Sequence, residues 1–338
     1  MMRHGNLFEQ ITDIETLRYA YQMSRLGKSH YTAVKRFEQN VDANLKDIQQ
    51  ALIDKTFKTG AYRIEDRMEG GKMRRIYKLP YSPDRIVQHA LISVVGPIIR
   101  RSLIRDTFQS LPERGTADAR RRVQKFIKEK QPRYALKLDI RKYYPSVNND
   151  RLKQMVRRKI KCQDTLWLID DILNSMDGLP IGNLTSQYFG NFYLYQFDWW
   201  VKQGLGVGGY YRYCDDLILF ANSKAQLRAW FYQIESYLNG LELDVKTDWQ
   251  IVSMQKQGVD FVGFVFMLDK TKLRPSIARN FKTASKKKTG LELFASLIAY
   301  KGWMMRANAK MLWRKHVSGR IIKQSKLFYK HTPLRGRI

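Results

Sequence analysis

Apolar residues recur at three- and four-residue spacing through Leu7, Ile11, Ile14, Leu17 and Tyr21, which predicts helix over residues 1–50. The period then changes. Tyr62-Arg63-Ile64, a Gly70-Gly71 turn and Arg75-Ile76-Tyr77 predict a hairpin over 60–80. Helical spacing returns over 84–130, interrupted from Pro112 to Gly115. Tyr134-Ala135-Leu136-Lys137-Leu138-Asp139-Ile140 predicts a buried strand running into an acid, and Pro145-Ser146 break it. Helices are expected over 149–176 and 184–203, a strand hairpin over 210–221, a helix over 224–239 and a strand over 241–246. This order predicts an α+β protein: an antiparallel sheet with helices on one face, preceded by a helical and hairpin elaboration.

The 210–221 hairpin carries the most specific chemistry. Its turn is Tyr213-Cys214-Asp215-Asp216, between the apolar runs Tyr210-Tyr211 and Leu217-Ile218-Leu219-Phe220. Adjacent carboxylates repel each other, and a tight turn that holds them together points to a divalent cation. Oxygen-only ligands suit Mg²⁺ or Mn²⁺ rather than zinc. Asp139 is a third acid at a strand end. Alone it reads equally well as the cap of a helix beginning near Ser146. Together the three match the inventory of a two-metal phosphoryl-transfer site, in which a carboxylate bridges cations roughly 3.5–4 Å apart.

Asp139 after an apolar strand, Tyr144 five residues on and a Tyr-x-Asp-Asp hairpin beyond resemble the palm of reverse transcriptases. Between them, where most such enzymes carry Gln-Gly-x-x-x-Ser-Pro, this chain has Ile181-Gly182-Asn183-Leu184-Thr185-Ser186-Gln187. That variant resembles the reverse transcriptases of diversity-generating retroelements, which copy template adenines inaccurately. Asn6-Leu7-Phe8-Glu9-Gln10-Ile11-Thr12 is similar to their amino-terminal opening. Arg74-Arg75-Ile76 and Asp84-Arg85-Ile86-Val87-Gln88-His89-Ala90-Leu91 are similar to their fingers, and Phe261-Val262-Gly263-Phe264 resembles the primer-grip turn. The resemblance implies a right-hand polymerase fold. Residues 1–50 form an amino-terminal helical extension, 51–133 the fingers, 134–268 the palm and 269–338 a helical, basic thumb and tail.

The resemblance also implies an activity and a site. The activity is metal-dependent, RNA-templated DNA synthesis with two Mg²⁺ ions, Mn²⁺ being a possible substitute. The implied catalytic acids are Asp139, Asp215 and Asp216, with Ile140 beside them at the metals. The implied nucleotide-binding positions are Lys72, Arg74, Arg75, Tyr144, Ile181, Gly182, Gln187 and Lys246. Among these, Arg75 is the triphosphate-gripping arginine, Tyr144 the steric gate against a ribose 2′-hydroxyl, and Lys246 the donor to departing pyrophosphate. Phe261, Gly263, Lys286, Lys287 and Lys288 are implied nucleic-acid contacts. The implied partners are a template RNA, a primer, the cDNA product and a small basic oligomeric accessory protein. One departure stands out: Leu111 occupies the place of an arginine that relatives carry in the fingers loop, with Arg114 three residues on. Other roles that this palm serves are an antiphage-defence or retron-like reverse transcriptase and, without catalysis, an RNA-binding scaffold.

Composition agrees with a polyanionic partner. The chain has 61 Lys+Arg against 31 Asp+Glu, a formal charge of +30. From Thr271 to Ile338 there are 18 Lys+Arg and one acid, Glu292, interleaved with Phe281, Trp303, Trp313, Phe328 and Tyr329. Helical spacing favours Trp303 and Trp313 as core residues. No run of 18 apolar residues and no signal peptide is present, so no membrane association is expected. Two cysteines, Cys162 and Cys214, supply no disulfide framework. A reducing cytoplasm, bacterial or in a phage host, is the expected location. No nuclease-type acidic cluster follows the palm, which excludes an expectation of RNase H activity.

Overall fold

The computed structural model describes residues 3–69 and 71–317, excepting the side chains of Glu69 and Lys72. Phe328 and Tyr329 therefore lie outside the described residues. The chain opens with helices α1 (Phe8–Thr12), α2 (Ile14–Arg25), α3 (Thr32–Glu38) and α4 (Val41–Ile53). Asp13 caps α2 by accepting the Thr16 amide at 2.9 Å. Leu7, Ile11, Leu17 and Tyr21 are all buried, as their spacing requires. Strands β1 (Arg63–Glu69) and β2 (Lys72–Lys78) form the expected hairpin, with Arg63 opposite Lys78 and Met68 opposite Met73.

Helix α5 (Ile86–Ser102) follows, then a two-residue strand β3 (Thr107–Phe108), then α6 (Thr116–Lys130). The sequence pattern gives no sign of β3, because two residues are too short to express a period. The central sheet contains β4 (Tyr134–Asp139), β5 (Tyr210–Tyr213), β6 (Asp216–Ala221) and β7 (Gln250–Ser253), in the order β3-β5-β6-β4-β7. Every pairing is antiparallel except that of β3 with β5. The expected strand over 241–246 is not one. Those residues make a turn with a single bridge, Ile140 to Val245, and the strand lies later, in β7. Glu242 is at φ 62, which breaks an extended run there.

The span 149–176 contains two helices, α7 (Asn149–Arg157) and α8 (Gln163–Asn174). Asn148 caps α7 through the Arg151 amide, so the capping role considered for Asp139 falls to another residue. Next come α9 (Leu184–Tyr193), α10 (Tyr195–Trp199) and α11 (Lys224–Gly240). Strands β4 and β6 are apolar at successive positions, as strands covered on both faces are. Leu136, Leu138, Leu217 and Leu219 face one core with α11, while Ala135, Ile218 and Phe220 face a second with α6.

That second core also contains a small sheet of β8 (Val259–Phe261), β9 (Phe264–Phe266) and β10 (Thr271–Leu273), in the order β10-β9-β8. The boundary expected after residue 268 falls inside this sheet, since β10 is hydrogen-bonded to β9. Helices α12 (Pro275–Lys287), α13 (Gly290–Met304) and α14 (Lys310–His316) pack on it through Phe281, Leu297 and Met304. Trp303 lies 5.2 Å from Phe264 and Trp313 stacks 5.9 Å from Phe281, so both tryptophans are packing residues. Among the described residues, no helix is long and apolar enough to cross a membrane.

Candidate active site

The acids meet through strand register. β4 pairs with β6 so that Asp139 stands directly opposite Asp216. Like charges in that position destabilise a sheet unless something neutralises them. Asp215 occupies the turn between β5 and β6 with Cys214, and its carbonyl accepts the Ile140 amide at 3.0 Å. One hydrogen bond thus closes the acidic turn onto the end of the Asp139 strand.

The electrostatics follow from this crowding. Burial raises the Asp139 pKa and Asp215 raises it further, against the opposing pull of Lys246. Burial pushes Asp216 up to about 7; Lys137 opposes this, while Asp139 and Asp215 add to it. Lys246 touches Asp139 Oδ1, and its amide donates to the Asp139 carbonyl at 2.9 Å. Burial works against the Lys246 charge, yet Asp139 outweighs it and raises the pKa. Lys137 Nζ is 3.8 Å from Asp216 Oδ1.

Two oxygens, Asp139 Oδ1 and Asp216 Oδ1, are buried and accept no aligned hydrogen bond. Lys246 meets the first as an ion pair without that alignment. Asp216 Oδ1 has no close donor, and crowded carboxylate oxygens are what a hard cation satisfies, so the donor set fits Mg²⁺ or Mn²⁺. Among the described residues no three His, Cys, Asp or Glu side chains are already gathered as a ligand cluster. Lys246 and Lys137 are the positive charges that face Asp139 and Asp216.

A residue that the sequence pattern did not single out holds the turn in place. Arg212, on β5, is fully buried. It makes a two-pronged ion pair with Asp198 of α10, at 2.8 and 2.6 Å. Its remaining nitrogen lies 3.0 Å from the Cys214 carbonyl. Tyr210 and Thr107 also donate to Asp198, at 2.7 and 2.9 Å. Cys214 sits at φ 58, a conformation that costs a non-glycine residue energy and needs support from its surroundings. The available signal was an arginine within an apolar strand and a lone aspartate in the apolar run Tyr195-Gln196-Phe197-Asp198-Trp199.

Tyr144 lies beside this turn. Its ring is 5.6 Å from that of Tyr143, and burial raises its pKa strongly, with Cys214 and Asp215 nearby. Its carbonyl accepts the Leu179 amide at 2.8 Å. Gly178, at φ +71, has no room for a side chain, since a Cβ would sit 2.6 Å from the Pro145 carbonyl. The Ile181-Gly182 loop reaches the β1–β2 hairpin instead: the Tyr77 amide donates to the Ile181 carbonyl at 2.8 Å. Ile181 and Gln187 are half-buried.

The hairpin separates Arg74 from Arg75. Side chains alternate faces along a strand. Arg74 shares a face with Ile76, whose Cγ2 would be 3.1 Å from a Cβ at Gly182. Arg75 is on the opposite face and pairs with Asp66 at 3.1 Å. The Lys72 side chain lies outside the described residues. Leu111 is buried in the core and presents no phosphate contact, while the half-buried Arg114 spends one nitrogen on the Ile104 carbonyl at 2.9 Å. Phe261 and Gly263 also differ from expectation. Phe261 is fully buried, and a Cβ at Gly263 would strike Trp303 at 2.5 Å. The turn is packed against Trp303 of α13, and the Phe261 ring is enclosed in the second core. Lys286 and Lys287 are exposed, while Lys288 pairs with Glu292 at 2.8 Å.

Residues 64–266, more than half of the chain, match the family model described as reverse transcriptase (RNA-dependent DNA polymerase). The chain belongs to the reverse transcriptase family. As a reverse transcriptase it is an RNA-directed DNA polymerase, a nucleotidyltransferase. It is 24% identical over 309 residues to Protein YkfC of Escherichia coli strain K12, covering 78% of this chain and 77% of that one. In fold it is similar to apo telomerase from Candida tropicalis, with TM-score 0.52 and 13% identity over 81% of this chain. It spans 58% of that telomerase chain. The right-hand polymerase fold expected of this reverse transcriptase is thereby present.

Proposed function

We propose that this reverse transcriptase makes cDNA from a template-repeat RNA in a diversity-generating retroelement, miscopying template adenines. One observation carries the reading. Ile181, in a loop whose Ile181 carbonyl is bonded to the fingers hairpin, and Gln187, in the first turn of α9, stand where most of the family has glutamine and proline. A glutamine at 181 hydrogen-bonds and buttresses the nascent pair, whereas isoleucine contributes shape alone. A missing hydrogen bond of this kind is worth about 1–3 kcal/mol of discrimination.

In this reading Asp139, Asp215 and Asp216, with Ile140 beside them, hold two Mg²⁺ ions, for which Mn²⁺ is a substitute. When bound, these ions neutralise the phosphates and activate the primer 3′-hydroxyl. The chain itself aligns the reactants, and alignment supplies much of the acceleration. Tyr144 blocks a 2′-hydroxyl. Arg74 and Arg75 grip the triphosphate, Arg74 from the face nearer the Gly182 loop. Gly182 and Gln187 line the pocket, and Lys246 holds a proton at Nζ for the departing pyrophosphate. Fingers and palm correspond to 51–133 and 134–268, with β10 carrying the palm sheet past 268, and the thumb to the helices that follow. Template RNA and primer run across the basic surface, with Lys286 and Lys287 among their contacts. A small basic oligomeric accessory protein completes the assembly in the cytoplasm of a bacterium or phage host.

The test is sequencing of cDNA made from one RNA by wild type and by Ile181→Gln, with Asp215→Asn as the inactive control. Misincorporation opposite adenine should fall about 5- to 150-fold in Ile181→Gln, and less opposite the other bases. Equal adenine error spectra would remove Ile181 from the mechanism.

A further inference from the structure

Both strands of the β1–β2 hairpin are tied, at its open end, to the same three-residue loop. On the β2 side the Tyr77 amide donates to the Ile181 carbonyl at 2.8 Å. On the β1 side, Asn183 Nδ2 is 3.3 Å from the Tyr62 hydroxyl, which is 2.8 Å from Ser175 Oγ. Ser175 Oγ in turn donates to the Ile172 carbonyl at 2.6 Å.

Proton bookkeeping orders this chain. A hydroxyl carries one proton. That of Ser175 is committed to Ile172, so Tyr62 donates to Ser175. The Tyr62 oxygen then offers only lone pairs to Asn183, whose NH₂ must face it. The relay therefore runs one way, from Asn183 through Tyr62 and Ser175 to the last turn of α8. Asn183 is buried, and burial raises the Tyr62 pKa, which keeps the phenol protonated. The Tyr62 and Tyr77 rings meet edge to face at 6.0 Å. Gly182 adopts φ +119, and a Cβ there would lie 3.0 Å from the Tyr77 carbonyl. The loop docks against the open end of the hairpin, tied to β2 through Tyr77 and to the residue preceding β1 through Tyr62.

We infer that Tyr62 is a positioning residue for nucleotide selection: its hydroxyl sets the Ile181-Gly182-Asn183 loop in register with the hairpin that carries Arg74 and Arg75. The groups that bear on the base pair and those that bear on the triphosphate then move together. This rests on the roles proposed above for Ile181 and the hairpin arginines.

Tyr62→Phe keeps the ring and its contact with Tyr77 and deletes one hydroxyl. The measurement is steady-state single-nucleotide insertion by the full chain, on an RNA template with a DNA primer. It uses correct and incorrect deoxynucleotides opposite each template base. The KM for the correct nucleotide should rise about three- to tenfold, the size of one hydrogen bond, with kcat within about twofold. The ratio of incorrect to correct insertion should rise with it, while template–primer Kd and Tm stay put. Ser175→Ala, which leaves the Asn183–Tyr62 contact in place, should move KM in the same direction by less, and it carries the test if Tyr62→Phe does not fold. Wild-type KM and insertion ratios in both variants would overturn the inference. So would a fall in kcat and Tm at constant KM, which marks a purely structural bond. The role of Ile181 is judged separately by the error spectrum of Ile181→Gln, so the two failures are distinct.

Discussion

Asp216 shows how strongly a single position depends on its neighbours. Its carboxyl ordinarily titrates at 3.8 and is raised to about 7. Between these values the folded state keeps a proton that the unfolded state has lost. The group therefore favours the folded state most at low pH, and that advantage is lost as pH rises from about 4 to about 7. In protein kept in EDTA, Asp216→Asn should raise Tm at pH 8, by about 2 °C for each kcal/mol recovered, and the gain should vanish near pH 4. A gain independent of pH would mean that charge is not its source. Tyr144 belongs to the same scale. Tyr144→Ala should let the enzyme insert ribonucleotides at least about tenfold more readily relative to deoxynucleotides, the equivalent of ~1.4 kcal/mol. Unchanged sugar selectivity in single-nucleotide insertion would make Tyr144 a packing residue.

At the scale of elements, the β1–β2 hairpin assigns different surroundings to adjacent arginines. Arg74 is on the Ile76 face, and Arg75 is held by Asp66 on the other. Arg74→Ala should raise the nucleotide KM about tenfold, the size of a charge-assisted hydrogen bond, and Arg75→Ala by less. A larger effect from Arg75→Ala would show that the hairpin rotates when the triphosphate binds. The β5–β6 hairpin is pinned more firmly, since Arg212 connects the Cys214 carbonyl to Asp198 in a fully buried network. Removing one member of such a pair typically costs about 3–5 kcal/mol, because the other is left buried and unpaired. The acidic turn is thus part of the core as well as the floor of the site.

For the whole molecule the dominant quantity is the charge of +30. Removing α12 outright would expose the second core, because Phe281 and Ala284 are buried beneath it. Charge removal is the cleaner experiment. Lys286→Ala with Lys287→Ala, both exposed, should weaken template–primer binding and reduce the slope of log affinity against log salt. The slope should fall by about 0.7–0.9 for each phosphate that the variant no longer neutralises. An unchanged slope would assign this face to another partner.

What the sequence by itself determined was local. Helical period over the first fifty residues, strand period into Asp139 and turn chemistry at Cys214-Asp215 are properties of neighbouring residues, and each appears in the fold. The candidate acids were legible for the same reason: they lie at a strand end and in a tight turn. Only tertiary structure decided which residues meet. Strand register sets Asp139 against Asp216. Strand alternation in the docked hairpin puts Arg74 on the Ile76 face and leaves Arg75 to Asp66. Packing places Leu111 in the core and covers Gly263 with Trp303. Arg212 and Asp198 lie 14 residues apart and become one buried unit only when β5 and α10 pack together. Such pairings depend on register and on volume filled from distant parts of the chain, and no periodicity along the sequence encodes either.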